Sequence, residues 1–180
     1  MKDKLLARTK HEYSPRQRFV ALLIEAVFFL GIFPYVLIAL GAEIDRWWQW
    51  SPIQPEPIHL LLGGLFSVAG WLCGVWACYA QFTLGRGTPV PLMATQKLVV
   101  QPPYTYCRNP MALGAIVMYL GVAILFGSPG AAVLVCLGAI ALLTYIKRVE
   151  EQEMVLRFGQ EYLAYKQRTP FLIPRLPKNR

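Results

Sequence analysis

Four long apolar runs constrain this chain more than any other feature of its sequence. They cover about residues 19–42, 58–84, 111–127 and 131–146. About 20 apolar residues, rising 1.5 Å each, are needed to cross the hydrocarbon core of a bilayer. The first two runs exceed that length and the last two are shorter. Because only 16% of the residues are charged, against about 25% in soluble domains, the runs predict membrane-spanning helices.

Two local features predict how these helices pack. The sequence GSPG at residues 127–130 leaves almost no loop between the third and fourth runs, and Pro129 suits the first turn of a helix. These residues predict a tight helical hairpin. In the second run, Gly70 and Gly74 have the small-xxx-small spacing that allows close helix packing in membranes.

We therefore predict an all-α, polytopic integral membrane protein with about four transmembrane helices. It forms a single membrane domain over residues 1–180, with a tight hairpin between the last two helices and an amphipathic helix after them. Residues 1–18 form an N-terminal segment that is either loose or an interfacial helix. The first two spans lie within 19–84, and the region 85–175 carries the residues suited to chemistry.

The distribution of positive charge predicts the orientation in the membrane. Of the 18 lysines and arginines, 17 lie in the N-terminal segment, in the loop 85–110 or in the tail from Lys147, and only Arg46 lies in the loop 43–57. The positive-inside rule then places both termini and the loop 85–110 in the cytoplasm. The net charge of +8 reflects this topology and attraction to anionic lipids. The basic residues form no soluble cluster, so a nucleic-acid partner is not predicted.

Two features in the first half admit a structural and a functional interpretation. Trp47, Trp48 and Trp50 lie in the outer loop, where an aromatic belt at the membrane boundary is expected, and a substrate lid is the alternative. Glu25 lies within the first apolar run, so its carboxylate must face protein or water or be protonated. It either pairs with a basic residue near the cytoplasmic entrance or orients a polar substrate head.

The cysteines and histidines do not predict a metal site. The four cysteines show no C-x-x-C spacing and lie in or beside apolar runs, and His11 and His59 are far apart. Packing is the expected role of the cysteines.

Two polar clusters flank the predicted hairpin. Arg108 and Asn109 precede the third helix, whereas Glu150 and Glu151 follow the fourth. The hairpin returns both clusters to the same membrane face, where a zwitterionic ligand would satisfy them. A helix dipole would favour the two glutamates if a new helix began there, but not if the fourth helix continues unbroken. Beyond them, Glu150, Met154 and Phe158 share one helical face.

These segments carry a family resemblance. YTYCRNPMALG resembles the R-H/N-P-x-Y-x-G signature of the isoprenylcysteine carboxyl methyltransferase and phospholipid methyltransferase superfamily. EEQEMVLRFGQEYLAYKQRTPFLIPR resembles that superfamily's E-E-x-x-L-x-x-x-F-G-x-x-Y-x-x-Y…V-P tail. GRGTPVP, upstream, is similar to the prokaryotic members, which implies a prokaryotic inner-membrane protein. The resemblance covers about residues 84–175.

The resemblance implies S-adenosyl-L-methionine bound at the cytoplasmic end of the helices, no metal, and a small lipophilic acceptor entering from the bilayer. Carried over by position, the catalytic motif residues are Arg108, Glu150 and Glu151, with Glu150 holding the ammonium group of the cofactor. The implied cofactor contacts are Gln96, Lys97, Leu98, Val99, Tyr104, Asn109, Pro110, Met111, Ala112 and Glu150.

Four departures from the family pattern stand out. Pro102 and Pro103 replace the usual glycine before Tyr104, which implies a different path of the loop. Asn109 stands for the usual histidine, Ala112 for an aromatic residue, and Ile146 for an arginine that binds substrate in the eukaryotic enzymes. The change at Ile146 weakens the expectation of a prenylcysteine carboxylate as substrate.

The predicted function is S-adenosylmethionine-dependent methyl transfer to a carboxylate or amine of a small lipophilic acceptor. Such a transfer depends on alignment and exclusion of water more than on a base. Tyr162 and Tyr165 are interpreted as packing residues at the interface. The alternatives are an NADPH-dependent membrane lipid reductase and a non-enzymatic scaffold. The sequence indicates neither the acceptor and its methylated atom nor the oligomeric state.

Overall fold

The regular structure of the described residues is entirely helical. A computed structural model describes residues 14–51, 53–54, 56–85 and 96–176. The basic segment 1–13 and most of the GRGTPVP stretch lie outside the described residues, so the interfacial-helix alternative and that motif receive no structural account.

The first helix is long and has a π-helical turn in its middle. Helix α1 spans Pro15–Val27, the π turn spans Phe28–Ile32, and α2 spans Phe33–Trp47. Ser14 begins it with a capping box, because its hydroxyl accepts from the Gln17 N–H while the Gln17 side chain accepts from the Ser14 N–H. Pro34, in the first turn of α2, cannot donate to the carbonyl four residues earlier, which accounts for an irregular turn at this place.

Each of the remaining apolar helices runs antiparallel to the one before it in the chain. Helix α3 spans Pro57–Thr83, α4 spans Pro110–Leu125 and α5 spans Pro129–Tyr145. A second π turn, Ile146–Glu150, joins α5 without a break to α6, Glu151–Arg168. The α4–α5 turn is as short as predicted, with Pro129 in the first turn of α5 and the Ser128 hydroxyl accepting from the Ala131 N–H at 3.1 Å.

The fold class predicted from the apolar runs is confirmed. Three helices in the described residues are long and apolar enough to cross a membrane, namely Arg16–Trp47, Pro57–Thr83 and Pro129–Arg168. The apolar helix Pro110–Leu125 is shorter and lies inside the bundle against α3. The described chain begins and ends on one face of the bundle, which is compatible with the predicted topology. Which face is cytoplasmic stays a prediction.

A seam of glycines brings α3 and α4 into backbone contact. A Cβ on Gly63 would lie 2.8 Å from the Leu125 backbone, and a Cβ on Gly114 would lie 2.7 Å from the Gly70 carbonyl oxygen. A Cβ on Gly70 would overlap the backbone of Met118. Close packing at Gly70 is therefore confirmed. At Gly74 a Cβ would meet nothing within 4 Å. Gly74 joins the contact through its backbone, because its nitrogen would lie 2.7 Å from a Cβ on Gly114.

On the opposite membrane face, Asp45 joins α2 to the start of α5. Its buried carboxylate accepts from the Ser128 hydroxyl at 2.5 Å and from the Gly130 N–H at 2.6 Å. These bonds satisfy donors at a helix N-terminus that would otherwise be buried without partners. Trp47 and Trp48 are exposed at this end, whereas Trp50 is half-buried and its ring centre lies 4.9 Å from that of Trp48. The aromatic belt stays a prediction.

Replacing Gly70 with alanine should destabilise the protein by about 1–3 kcal/mol, because the added methyl group overlaps backbone that cannot move alone. Gly64→Ala is the matched control, since Gly64 lies in the same helix and its Cβ would meet nothing within 4 Å. Thermal unfolding in detergent compares the two variants. Equal melting temperatures would contradict the glycine seam.

Candidate cofactor and acceptor site

A polar cavity lies where α3 ends, α4 begins and α5 passes into α6. Its volume is about 110 Å³. The side chains that line it come from the end of α3, the loop before α4, the second π turn and α6. They are Gln81, Leu98, Val99, Tyr104, Arg108, Asn109, Ile146, Glu150, Glu151, Met154, Tyr162 and Tyr165.

Buried aromatic residues hold the loop before α4 against α6. Tyr104, Tyr162 and Tyr165 are each at most 6% exposed and form one cluster with Ala77, Ala80 and Val99. The Tyr165 hydroxyl donates to the Tyr104 carbonyl oxygen at 2.7 Å. Tyr162 and Tyr165 are thus packing residues, as expected, but they also form a wall of the cavity.

Helix α6 can return to this loop because it bends at Gly159. This residue has φ 54° and ψ −127°, a backbone conformation that breaks the helix and that L side chains rarely adopt. The space around a Cβ at Gly159 is open, so the requirement for glycine is conformational.

Arg108 forms an ion pair with a glutamate of the same chain. Its Nη2 lies 3.0 Å from Glu151 Oε1, and the two side chains are 10% and 6% exposed. Lys166 approaches the other Glu151 oxygen at 2.6 Å. The predicted zwitterionic ligand is therefore not needed to neutralise Arg108 or Glu151. The guanidinium Nε of Arg108 is buried and makes no hydrogen bond to the described residues, so the N–H at this atom remains for a ligand.

The segment after α6 closes over the motif loop. The Arg108 N–H donates to the Pro170 carbonyl at 2.9 Å, and the Asn109 side-chain amide donates to the Phe171 carbonyl at 2.9 Å. The Arg175 N–H donates to the Tyr106 carbonyl at 3.0 Å. The Arg108 guanidinium also lies 5.7 Å from the Phe171 ring centre. Asn109 thus orients the loop, while its amide oxygen and its second side-chain N–H stay available.

The π turn sets the position of Glu150. Because α5 continues into α6 without a break, no helix N-terminus faces the glutamates, and the helix-dipole hypothesis does not apply. The π turn instead directs the adjacent Glu150 and Glu151 side chains into one cavity. Glu150 is half-buried and pairs with none of the described residues. Burial, and next the Glu153 charge, raise the pKa of Glu150 above its ordinary value.

The Tyr104 hydroxyl is also buried and makes no hydrogen bond to the described residues. Burial raises the pKa of Tyr104 far above its ordinary value, and the nearby Gln81 side chain partly counters this rise. The two groups are close, yet no hydrogen bond of ordinary geometry joins them. Gln81 was not predicted, although it is a polar residue near the end of an apolar helix.

The structure brings together part of the predicted site. Of the predicted residues, Leu98, Val99, Tyr104, Arg108, Asn109, Glu150 and Glu151 line the cavity, whereas Gln96, Lys97, Pro110, Met111 and Ala112 do not. Pro110 and Ala112 are buried in the bundle, and Met111 packs against the aromatic cluster. Besides Gln81 and the two tyrosines, the predicted site residues omitted Ile146 and Met154. The sequence had already placed Met154 on the helical face of Glu150 and named Ile146 as a departure from the family pattern, but neither was taken as a contact.

Comparison with known proteins agrees with the sequence motifs. Residues 58–161, more than half of the chain, match the phospholipid methyltransferase family. The chain belongs to this family. The resemblance recognised in the motifs is thereby confirmed.

Two relatives come from Bradyrhizobium diazoefficiens. Methanethiol S-methyltransferase 2 is 26% identical over 164 residues, covering 79% of this chain and 59% of the relative. Methanethiol S-methyltransferase 1 is 25% identical over 159 residues, covering 78% of this chain and 53% of the relative. The chain thus spans little more than half the length of these relatives. No solved structure matches the chain.

Glu151→Gln should destabilise the protein by about 3 kcal/mol or more, because it leaves the Arg108 charge buried without a counter-charge. Arg108→Ala should cost less, since Lys166 still neutralises Glu151. Lys166→Met is the control, and should cost less than about 1 kcal/mol because Lys166 is 40% exposed. Denaturation in mixed detergent micelles measures these differences. An equal loss in all three variants would contradict a buried pair.

Proposed function

We propose that this protein transfers a methyl group from S-adenosylmethionine to a small lipophilic acceptor at the membrane face that carries the motif loop. One observation carries the proposal: the half-buried Glu150 carboxylate has no partner among the described residues, and it lies beside Arg108 and Asn109 in a cavity lined by the family's motifs. An unpaired carboxylate in such a place is suited to a cationic ligand group.

The unpaired polar groups of the cavity fit the amino-acid part of S-adenosylmethionine. Glu150 would bind its ammonium group, and the buried Arg108 Nε would donate to its carboxylate. The cavity of about 110 Å³ is smaller than the 300–1,000 Å³ or so of typical ligand sites. Binding the whole molecule therefore requires the lining side chains to move, and Met154 is the most adaptable of them.

The residues of the chain act by positioning. S-adenosylmethionine supplies an electrophilic methyl group on a sulfonium centre. Glu150 and Arg108 orient the donor by its charged end, and the Arg108–Glu151 pair keeps their relative position. The aromatic cluster excludes water from one wall. Alignment and exclusion of water are the main requirements of such a displacement.

The acceptor is proposed to be small and lipophilic. The apolar helices provide access from the bilayer, and the relatives are named for methanethiol, a small acceptor. Ile146, which lines the cavity, offers no charge to an acceptor carboxylate. We also propose that both termini are cytoplasmic, which the distribution of basic residues supports.

The reductase alternative is less well supported. NADPH carries several phosphate charges, yet Arg108 is the only basic residue among the described side chains that line the cavity, and it is already paired with Glu151. A non-enzymatic scaffold would bind neither cofactor. Calorimetry with both cofactors therefore distinguishes the three functions.

Glu150→Gln should weaken S-adenosylmethionine binding by about tenfold or more, because it removes a charge-assisted contact to the ammonium group. Isothermal titration calorimetry of the detergent-purified protein measures the Kd. Glu153→Gln is the matched control, since Glu153 contacts Arg157 and does not line the cavity, and its Kd should stay within about twofold. No binding to the wild type, or equal Kd values for the wild type and Glu150→Gln, would overturn the proposal.

The affinity for S-adenosylmethionine should fall as the solution becomes more acidic. Ionised Glu150 binds the ammonium group, and this contact is complete above the pKa of Glu150 and lost as pH falls through it. Because that pKa is raised, the loss should begin at a higher pH than for an ordinary glutamate. Calorimetry between about pH 4.5 and 8 measures it.

Two variants test the assignment of this pH dependence to Glu150. Glu150→Gln should show a flat profile. Glu153→Gln should shift the midpoint to lower pH, because the Glu153 charge contributes to the raised pKa. The same midpoint in the wild type and in Glu150→Gln would assign the titration to another group.

A further inference from the structure

We infer that the outer surface of residues 169–176, named the strap from here on, binds the anionic surface of the bilayer and thereby holds the loop of residues 104–109 in place. The strap directly follows α6 and lies over this loop. The inference is independent of the proposed methyl transfer, because it concerns the membrane rather than the ligand of the cavity.

The inner side of the strap is fixed to the loop. The carbonyls of Pro170 and Phe171 accept hydrogen bonds from the Arg108 N–H and the Asn109 side-chain amide, each at 2.9 Å. A third bond, from the N–H of residue 175 in the strap to the carbonyl of residue 106, measures 3.0 Å. Arg108 and Asn109 also line the cavity. Whatever holds the strap therefore also holds two side chains of the site.

The outer side of the strap is apolar and is not covered by the described residues. Ile173 and Leu176 are 79% and 80% exposed. Single exposed apolar residues are common on protein surfaces, but these two lie on either side of a basic residue, Arg175, in a segment whose backbone is held in place. Apolar side chains beside basic ones are the combination by which a segment binds the membrane interface.

Contacts to α3 place the strap near the level where this helix leaves the bilayer. The Tyr106 ring centre lies 6.2 Å from that of Trp76, about two turns before α3 ends at Thr83. Trp76 and Tyr79 are 47% and 68% exposed on this candidate membrane span, and such residues are enriched at the membrane–water boundary. Because Arg175 is bonded to Tyr106, the strap lies beside this boundary.

The charge of this end of the chain selects an anionic surface. No acidic residue follows Glu161 in the sequence, whereas five basic residues do, namely Lys166, Arg168, Arg175, Lys178 and Arg180. Lys166 pairs with Glu151, which leaves four. Each basic residue close to an anionic bilayer strengthens binding by about fivefold. The apolar side chains and the basic residues therefore favour the same partner.

Hydrogen–deuterium exchange of the full chain in lipid nanodiscs tests the inference. One set of discs contains phosphatidylcholine alone, and the other contains phosphatidylcholine mixed with phosphatidylglycerol. The backbone N–H groups of Arg108 and Arg175 form the hydrogen bonds between strap and loop. Both should exchange about tenfold more slowly in the anionic discs. Slower exchange at Arg108 would show that the membrane stabilises the loop as well as the strap.

Variants of the outer surface should lose this protection. In the anionic discs, exchange should become about fivefold faster in Arg175→Gln, and about tenfold or more faster when Ile173→Asn and Leu176→Asn are combined. All proteins are compared in the same discs, so the lower pH at an anionic surface slows their exchange equally. Melting temperatures in detergent should stay unchanged, because the replaced side chains are exposed.

Arg46→Gln and Ile53→Asn are the matched controls. Both residues are exposed on the opposite membrane face, where the Ile53 N–H donates to the Gly127 carbonyl at 2.9 Å. Neither change should alter exchange at Arg108 or Arg175.

Three results would overturn the inference. Equal exchange of the wild type in the two kinds of disc would show that the strap does not recognise an anionic surface. Equal protection in phosphatidylcholine discs on addition of inorganic phosphate would assign the basic residues to a free anion. Exchange in detergent that slows with rising protein concentration would assign the outer surface to a second copy of the chain.

Discussion

The site depends on the buried ion pair between Arg108 and Glu151. Arg108 belongs to the loop before α4 and Glu151 to the start of α6, so their contact at 3.0 Å joins the two motif segments of the family. A buried pair of this kind adds little net stability, but losing one partner is costly. Its main consequence is positional, because it places the Glu150 carboxylate opposite the motif loop and leaves it available.

The helix bundle allows this contact. The glycine seam brings the backbones of α3 and α4 together, and the short turn at residues 127–130 returns α5 to the face where α4 began. Helix association in a membrane lacks the hydrophobic drive available in water, so close backbone packing and buried polar contacts become more important. The Asp45 contacts with Ser128 and Gly130 supply such a polar contact on the opposite face.

The cavity brings charged and uncharged polar groups together. Glu150, Glu151 and Arg108 line it beside Tyr104, whose buried hydroxyl makes no hydrogen bond to the described residues. Because Arg108 and Glu151 pair with each other, Glu150 is the carboxylate that this arrangement leaves available.

The sequence by itself determined the membrane class, the hairpin, close packing at Gly70 and the family, because apolar run length, turn residues and motif spacing are local properties. It also indicated Arg108, Asn109, Glu150 and Glu151. Only the tertiary structure decided that Arg108 pairs with Glu151 rather than with a ligand, and that Gln81 meets Tyr104. The first outcome depends on the π turn at Ile146–Glu150, directly before Glu151, and the second on the packing of α3 against the loop before α4. Both join residues that are far apart in the chain, and no local pattern predicts which of them become neighbours.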